Sequence, residues 1–343
     1  MFELLSSLGS WVKRQEITTD NAVFRLHYMF TALLLLCFSA IITASQFIGD
    51  PIECMGDKSI PGNVRMIELE SSFGLVNPAG HEDEKKYYTY YQWVVFVLFL
   101  QAMLCYFPKW LWDMWESNLL STIVVGLNYG MITEEEKESK KKTLIDYMLK
   151  HIKHHNMYAI KYFFCEVLCL INIIGQMYLM NAFFDGEFMQ YGRKVTDFSD
   201  MDQDNRIDPM VYVFPRITKC TFHKFGPSGT IMRSDFLCVL PLNIFNEKSF
   251  VFLWFWYIII ATLLSALVLF RIAIIALPST RAHIFHFYNR IISKDTAAAI
   301  SRKTSLGDWW VMFMLGSNMD PLIYREVMSE LAKKIEISSS NSL

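Results

Sequence analysis

The chain lacks most of what would make it an enzyme or a nucleic-acid binder. Its 343 residues hold no glycine-rich phosphate loop, no serine elbow and no paired-histidine metalloprotease motif, so neither a catalytic constellation nor a cofactor is expected. The formal net charge is only -2, and no footprint for nucleic acid stands out. No Asn-X-Ser/Thr sequon occurs, which leaves no acceptor for an N-glycan. Internal repeats and low-complexity tracts are missing as well. The first 27 residues have no apolar core ahead of a cleavage site, so no removable signal peptide is expected and the first apolar run serves as its own signal.

Long hydrophobic runs, by contrast, are plentiful. Hydrophobic residues make up 53% of the chain and aromatics 15%. Four runs, 28–48, 93–112, 162–184 and 250–276, each have the ~20 residues that an α-helix needs to cross ~30 Å of hydrocarbon. With no water in the bilayer to satisfy backbone groups, each must be helical. Tyr87, Tyr88, Tyr90, Tyr91 and Trp93 crowd one border of the second run, and Trp110, Trp112 and Trp115 the other, as amphipathic rings do at headgroup level. Four buried helices of a soluble protein would leave these belts unexplained.

An even number of spans puts both termini on one side, but the Lys/Arg bias that would say which is weak. Cysteine is more informative. Cys37, Cys105, Cys165 and Cys169 lie within the runs, and Cys54, Cys220 and Cys238 all fall in 49–92 and 185–249. Disulfides persist in oxidising compartments, so these two loops are expected to be extracellular, with 1–27, 113–161 and 277–343 cytosolic. Three is an odd number, which leaves at least one thiol without a partner in the chain.

The cytosolic parts read as folded. Thr133 with Glu136 has the form of a capping box, and a helix from there is expected to run continuously over 134–160 into the third span. Ser305 with Asp308 starts another helix that Gly316 can end, and Asp320-Pro321 starts a last one. Only the terminus after about Ile337 reads as disordered. Outside, Val211–Phe225 is rich in β-branched and aromatic residues and leads into Gly226-Pro227-Ser228-Gly229, with a second apolar run from Phe236. A small sheet held by cysteines is expected. The fold class is thus an all-α membrane protein: four transmembrane helices, a cytosolic helical layer and a small disulfide-linked extracellular β element.

Several residue groups invite a chemical reading. His151, His154 and His155 have helical spacing that could present imidazoles to zinc, but no matching ligand lies nearby and Lys150 and Lys153 flank them, so a solvated helix face is expected. Asp200, Asp202 and Asp204 imitate the opening of a calcium loop, yet Asn205 and Val211 stand where Gly and Glu are required. No metal is therefore expected. Cys165, Cys169, Asn172 and Gln176 form a stripe on the third span, with Glu166 one step around. Ser39, Thr43 and Gln46 form a second stripe on the first. Intramembrane polar groups face a bundle interior or an aqueous cavity, and both options stand for each stripe.

Seven strings, Asn21–Tyr28, Ile48–Cys54, Tyr90–Trp93, Tyr212–Cys220, Thr221–Gly229, Leu237–Lys248 and Asp320–Glu326, fall in order around the four spans. In these the chain resembles the innexins, the invertebrate gap-junction family related to the pannexins. The resemblance implies a homo- or hetero-oligomeric ring with other innexins, of eight subunits, that docks with the ring of a neighbouring cell and passes ions and small metabolites. It implies a plasma-membrane, multi-pass protein of the gap junction and no enzyme. By the family pattern the segment after Met1, with Phe2 and Leu5, folds into the pore mouth, and the first span lines the conduit, which makes Ser39, Thr43 and Gln46 pore-lining candidates and the third-span stripe a packing surface.

Innexins usually carry two cysteines in each extracellular loop. Here Cys54, Cys220 and Cys238 match three positions, but the cysteine expected after Ile60-Pro61-Gly62 is missing, and Val64–Gly80 departs from the family. By the pattern Cys54 pairs with Cys238 and leaves Cys220 unpaired. The alternative function is therefore a subunit that co-assembles but cannot dock.

Overall fold

The computed structural model describes residues 17–49, 52–55, 68–71, 86–124, 126–127, 133–198 and 208–340. Four helices are long and apolar enough to cross a membrane: α1 (Ala22–Ile48), α2 (Val94–Glu116), α5 (Asn156–Phe183) and α8 (Pro241–Ala276). The shorter helices are α3 (Leu119–Val124), α4 (Glu134–Lys150), α6 (Phe188–Phe198), α7 (Pro209–Val213), α9 (Pro278–Tyr288), α10 (Lys294–Lys303), α11 (Leu306–Gly316) and α12 (Pro321–Ser340). All four spans outrun their hydropathic cores, because a helix propagates through polar residues once the apolar stretch has nucleated it. Leu26–Thr31 of α1 winds as a π-helix.

The chain divides into two compact units. One gathers the described residues up to Met29, within Tyr106–Leu170 and from Thr262 onward; the other gathers the described residues within Phe30–Cys105 and Ile171–Ala261. In the first, Trp112, Tyr162, Trp309, Trp310 and Phe285 are buried. The Tyr162 ring meets Trp112 edge-on at 4.9 Å and Trp310 at 5.1 Å. In the second, the strands β1 (Glu53–Met55), β2 (Glu68–Ser71), β3 (Lys86–Tyr87), β4 (Ile217–Phe225) and β5 (Ile231–Val239) form a five-stranded antiparallel sheet of order β1-β5-β4-β2-β3. β4 and β5 form a hairpin whose turn is closed by Gly226 N donating to Thr230 O, with Gly229 at φ 78, where a residue with a side chain would be strained.

Four expectations from the sequence need correcting. The helix over 134–160 is not continuous: α4 stops at Lys150, and 151–155 form a turn with Lys153 at φ 72. Thr133 is the N-cap of α4, but its side chain makes no capping bond. Residues 211–213 belong to α7, started by Asp208 capping Met210 N and by Pro209 at the first position, so the strand begins only at Ile217 and its partner already at Ile231. The last helix continues past Ile337 to Ser340. α6 was not anticipated; it lies against α8 through Gly192, where an added Cβ would run into the Trp254 ring. Trp254 Nε1 also donates to Met189 O at 3.2 Å.

Candidate functional site

In the sheet-bearing unit, separate sequence strings meet. Tyr90 sits in a short 3-10 turn (Thr89–Gln92) ahead of α2, and its ring packs edge-on against Phe184 at 5.0 Å and Phe214 at 5.7 Å. Phe184 and Phe214 close on Phe250 at 4.9 and 5.4 Å. Each hydroxyl that this burial would strand finds a carbonyl: Tyr90 donates to Val213 O at 2.7 Å and Tyr191 to Glu247 O at 3.1 Å. Asn243 Nδ2 donates to Pro215 O at 2.7 Å, and Arg216 reaches the fully buried Glu247 carboxylate at 2.7 Å. A buried carboxylate without such partners would be strongly destabilising. Cys54 faces Cys238 across the β1–β5 register and is bonded to it. That bridge closes a sequence separation of 184 residues, so it removes much freedom from the unfolded chain.

In the other unit the organising groups are charged and buried. Arg271 on α8 grips Glu166 on α5 with two bonds, Nε to Oε2 at 2.8 Å and Nη2 to Oε1 at 2.9 Å. Its guanidinium lies 4.4 Å from the Trp310 ring centre. Asn21 joins this pair: Nδ2 donates to Glu166 Oε1, while Oδ1 caps α1 by accepting from Phe24 N at 2.7 Å. Asp20 binds Arg25 and the Tyr28 hydroxyl, with Lys109 Nζ 3.6 Å away. Thr18 and Asn318 exchange bonds in both directions, Asn318 Oδ1 accepting from Thr18 N and Asn318 Nδ2 donating to Thr18 O at 2.8 Å. The chain just before α1 is thereby tied to α5, α8 and the segment preceding α12.

His155 is buried and pairs through Nδ1 with Asp308 Oδ1 at 2.8 Å. His155 sits neither on a helix nor on a solvated face, which corrects its reading; His154 is exposed as expected, but in the turn rather than on a helix. Asp308 forms the expected capping box with Ser305 and also accepts from Lys153 N at 2.7 Å. Burial alone would raise its carboxyl, but the bonds from His155, Ser305 and the Lys153 backbone outweigh it and hold the group below the ordinary range. Gly307 is needed here because a Cβ would strike the His155 carbonyl. Among the described residues no group of three or more His, Cys, Asp or Glu could hold a metal. Asp200, Asp202 and Asp204 lie outside the described residues.

The third-span stripe packs. Cys165 and Cys169 are buried, Asn172 Nδ2 donates to Leu104 O at 3.0 Å, and Gln176 Nε2 donates to Gln101 O at 3.2 Å. On the first span, Ser39 is buried with its hydroxyl directed at Val95 O at 3.3 Å, while Thr43 and Gln46 are half-buried. The exposed stripe of α1 is Cys37, Ile41, Ala44 and Ile48. Phe2 and Leu5 lie outside the described residues, as does the side chain of Cys220. Arg271 was missed in the sequence, although its position in an apolar run opposite the lone Glu166 is the signal that intramembrane charges pair.

The strings that carried the family resemblance are therefore those that close long-range contacts. Tyr90, Phe214, Asn243 and Cys238 belong to them in one unit, and Asn21 and Glu326 in the other. A family model described as Innexin matches residues 20–335. Innexin inx1 of Schistocerca americana is 57% identical over 360 aligned positions covering all of both chains. Innexin inx1 of Drosophila melanogaster is 52% identical with 98% of each chain covered, and innexin shaking-B of the same species is 42% identical over 98% of this chain and 95% of its own. With its seven strings meeting in these two units and the match running nearly end to end, the chain belongs to the innexin family.

Proposed function

We propose that the protein is a subunit of a gap-junction channel: an oligomeric ring, of eight subunits, in the plasma membrane, with both termini cytosolic and the sheet on the outer face. The observation that carries this reading is the β4–β5 hairpin, stapled to the first outer loop by Cys54–Cys238 and presenting an exposed turn at Pro227–Thr230. A rigid, glycan-free rim of this kind suits ring-to-ring docking between cells. Inserting a sequon near Ser228 is the test. Glycosylated channels should lose cell-to-cell coupling and keep non-junctional current at the surface; normal coupling would show that this face does not dock.

Conduction is assigned to α1 and the segment before it. Thr43 and Gln46, half-exposed toward the end of α1, are the polar lining in this reading, and Phe2 and Leu5 belong to the pore mouth. Ser39 props α1 against α2 instead. Cysteine placed at 43 or 46 should react with a charged thiol reagent applied in water and block current, whereas cysteine at 39 should not. No block from either 43 or 46 would remove α1 from the pore.

A second reading rests on the first outer loop, which carries Cys54 as its single cysteine. In that reading the subunit joins rings without docking. Paired-cell dye transfer separates the two, because a docking-defective subunit gives membrane current in single cells and no transfer between them.

A further inference from the structure

A cavity of about 730 Å³ opens beside the C-terminal end of α8, with Phe270 of that span on one wall and Phe287, Tyr288, Arg290 and Lys294 around it. Its walls continue an apolar surface: Leu269, Ile272 and Ile275 are exposed on α8, and Phe287 and Tyr288 are 63% and 62% exposed on α9. Large aromatics left this open just past the end of a span sit where headgroups lie in a bilayer. The rim is cationic. Among the described residues neither Arg290 nor Lys294 has a carboxylate partner, and no carboxylate lines the cavity. Asp295, exposed in the first turn of α10, is the acidic neighbour in sequence. The negative end of α8 does not repel an anion here, since Arg281 covers the carbonyls of Ile274 and Ile275 at 3.0 and 3.2 Å. His286 is engaged with Ile292 O at 2.9 Å, which holds the chain between α9 and α10 in place.

We propose that this cavity binds the headgroup of an anionic phospholipid, with the phosphate between Arg290 and Lys294 and the acyl chains along Phe270 and the exposed face of α8. A small free anion would have no use for the apolar wall, and a zwitterionic headgroup brings no net charge to set against the two cations, whereas an anionic one brings at least one. A Lys or Arg held near an anionic membrane surface contributes ~1 kcal/mol, or about fivefold, toward anionic headgroups.

The test is native mass spectrometry of the full-length assembled protein after exchange into mixed micelles of phosphatidylserine and phosphatidylcholine. Wild type should retain phosphatidylserine preferentially, and Arg290→Ala with Lys294→Ala should lower that preference about 25-fold from two such contributions. Arg290→Lys with Lys294→Arg should preserve it. Equal retention of both lipids by wild type, or a preference unchanged in the alanine pair, overturns the proposal. Should the alanine pair not assemble, photoactivatable phosphatidylserine on wild type decides: cross-links at Phe270 or within 283–294 support the site. Cross-links only elsewhere, or occupation of the cavity by a neighbouring copy of the chain, overturn it.

Discussion

The two units are held together by different chemistry. In the unit containing the residues around 20, 155 and 308, the decisive contacts are buried charges: Glu166 with Arg271, Asp20 with Arg25 and Lys109, and His155 with Asp308. In the sheet-bearing unit a single buried carboxylate is found among the described residues, Glu247 with Arg216, and it is joined by covalent and aromatic contacts, a Cys54–Cys238 bridge and the rings of Tyr90, Phe184, Phe214 and Phe250. A disulfide acts mainly on the unfolded chain and leaves the native contacts alone. A buried ion pair depends on both partners being present, because either one alone is an uncompensated charge.

The largest effect should come from splitting the central pair. Arg271→Met leaves Glu166 buried without its cation and should cost ~3–5 kcal/mol, seen as loss of assembled protein or a much lower melting temperature. Arg271→Met combined with Glu166→Leu should recover most of that. If the double variant were as poor as the single one, the pair would not be the reason for the loss.

Breaking the bridge should act on the other unit alone. Cys54→Ser should cost ~2–5 kcal/mol and raise amide exchange across Ile217–Val239, with Glu134–Lys150 unchanged. Faster exchange in both segments would mean that the units do not respond independently.

Asp308→Asn should cost ~1–3 kcal/mol through lost bonds to buried donors. Because the folded carboxyl lies below its ordinary value, its contribution is present above the unfolded value of ~3.9 and disappears as pH falls through the folded one. Melting temperature against pH should therefore fall less steeply below pH ~4 in the variant than in wild type. Parallel acid limbs would assign the acid sensitivity to other groups.

The smallest effect is expected at Glu326, a half-exposed carboxylate whose bond with Lys141, 2.8 Å away, holds it below the ordinary range. Glu326→Gln should change stability by ~0–1 kcal/mol and less in high salt. A loss above that range, measured by denaturant titration, would place the α4–α12 contact among the organising ones.

Much of this was legible in residue order. The four spans follow from apolar length, the Ser305–Asp308 capping box and the Asp320-Pro321 helix start from local signals, and the Gly226–Gly229 turn from composition. What local pattern could not deliver were the places where long-range contacts override it. His151, His154 and His155 have helical spacing, but Lys153 adopts a left-handed turn so that its N–H and the His155 ring can both reach Asp308. Val211 and Val213 have strand chemistry, but Asp208 and Pro209 start a helix there. α6 is amphipathic within a loop dominated by polar residues, and the seat it takes on α8, with Gly192 leaving room for the Trp254 ring, is a long-range contact.

By itself the sequence determined that the chain crosses a membrane four times, that it is an innexin, and which string each cysteine of the bridge belongs to. Apolar length and motif order are one-dimensional properties, and they survive without knowledge of neighbours. Which polar groups meet was legible only in the packed helices: Glu166 finds Arg271, Asn21 joins them, Ser39 turns to Val95 and the third-span stripe turns to Leu104 and Gln101. Those pairings relieve the cost of leaving a charge or an amide unsatisfied in apolar surroundings, and which partner relieves it is decided only when the helices pack.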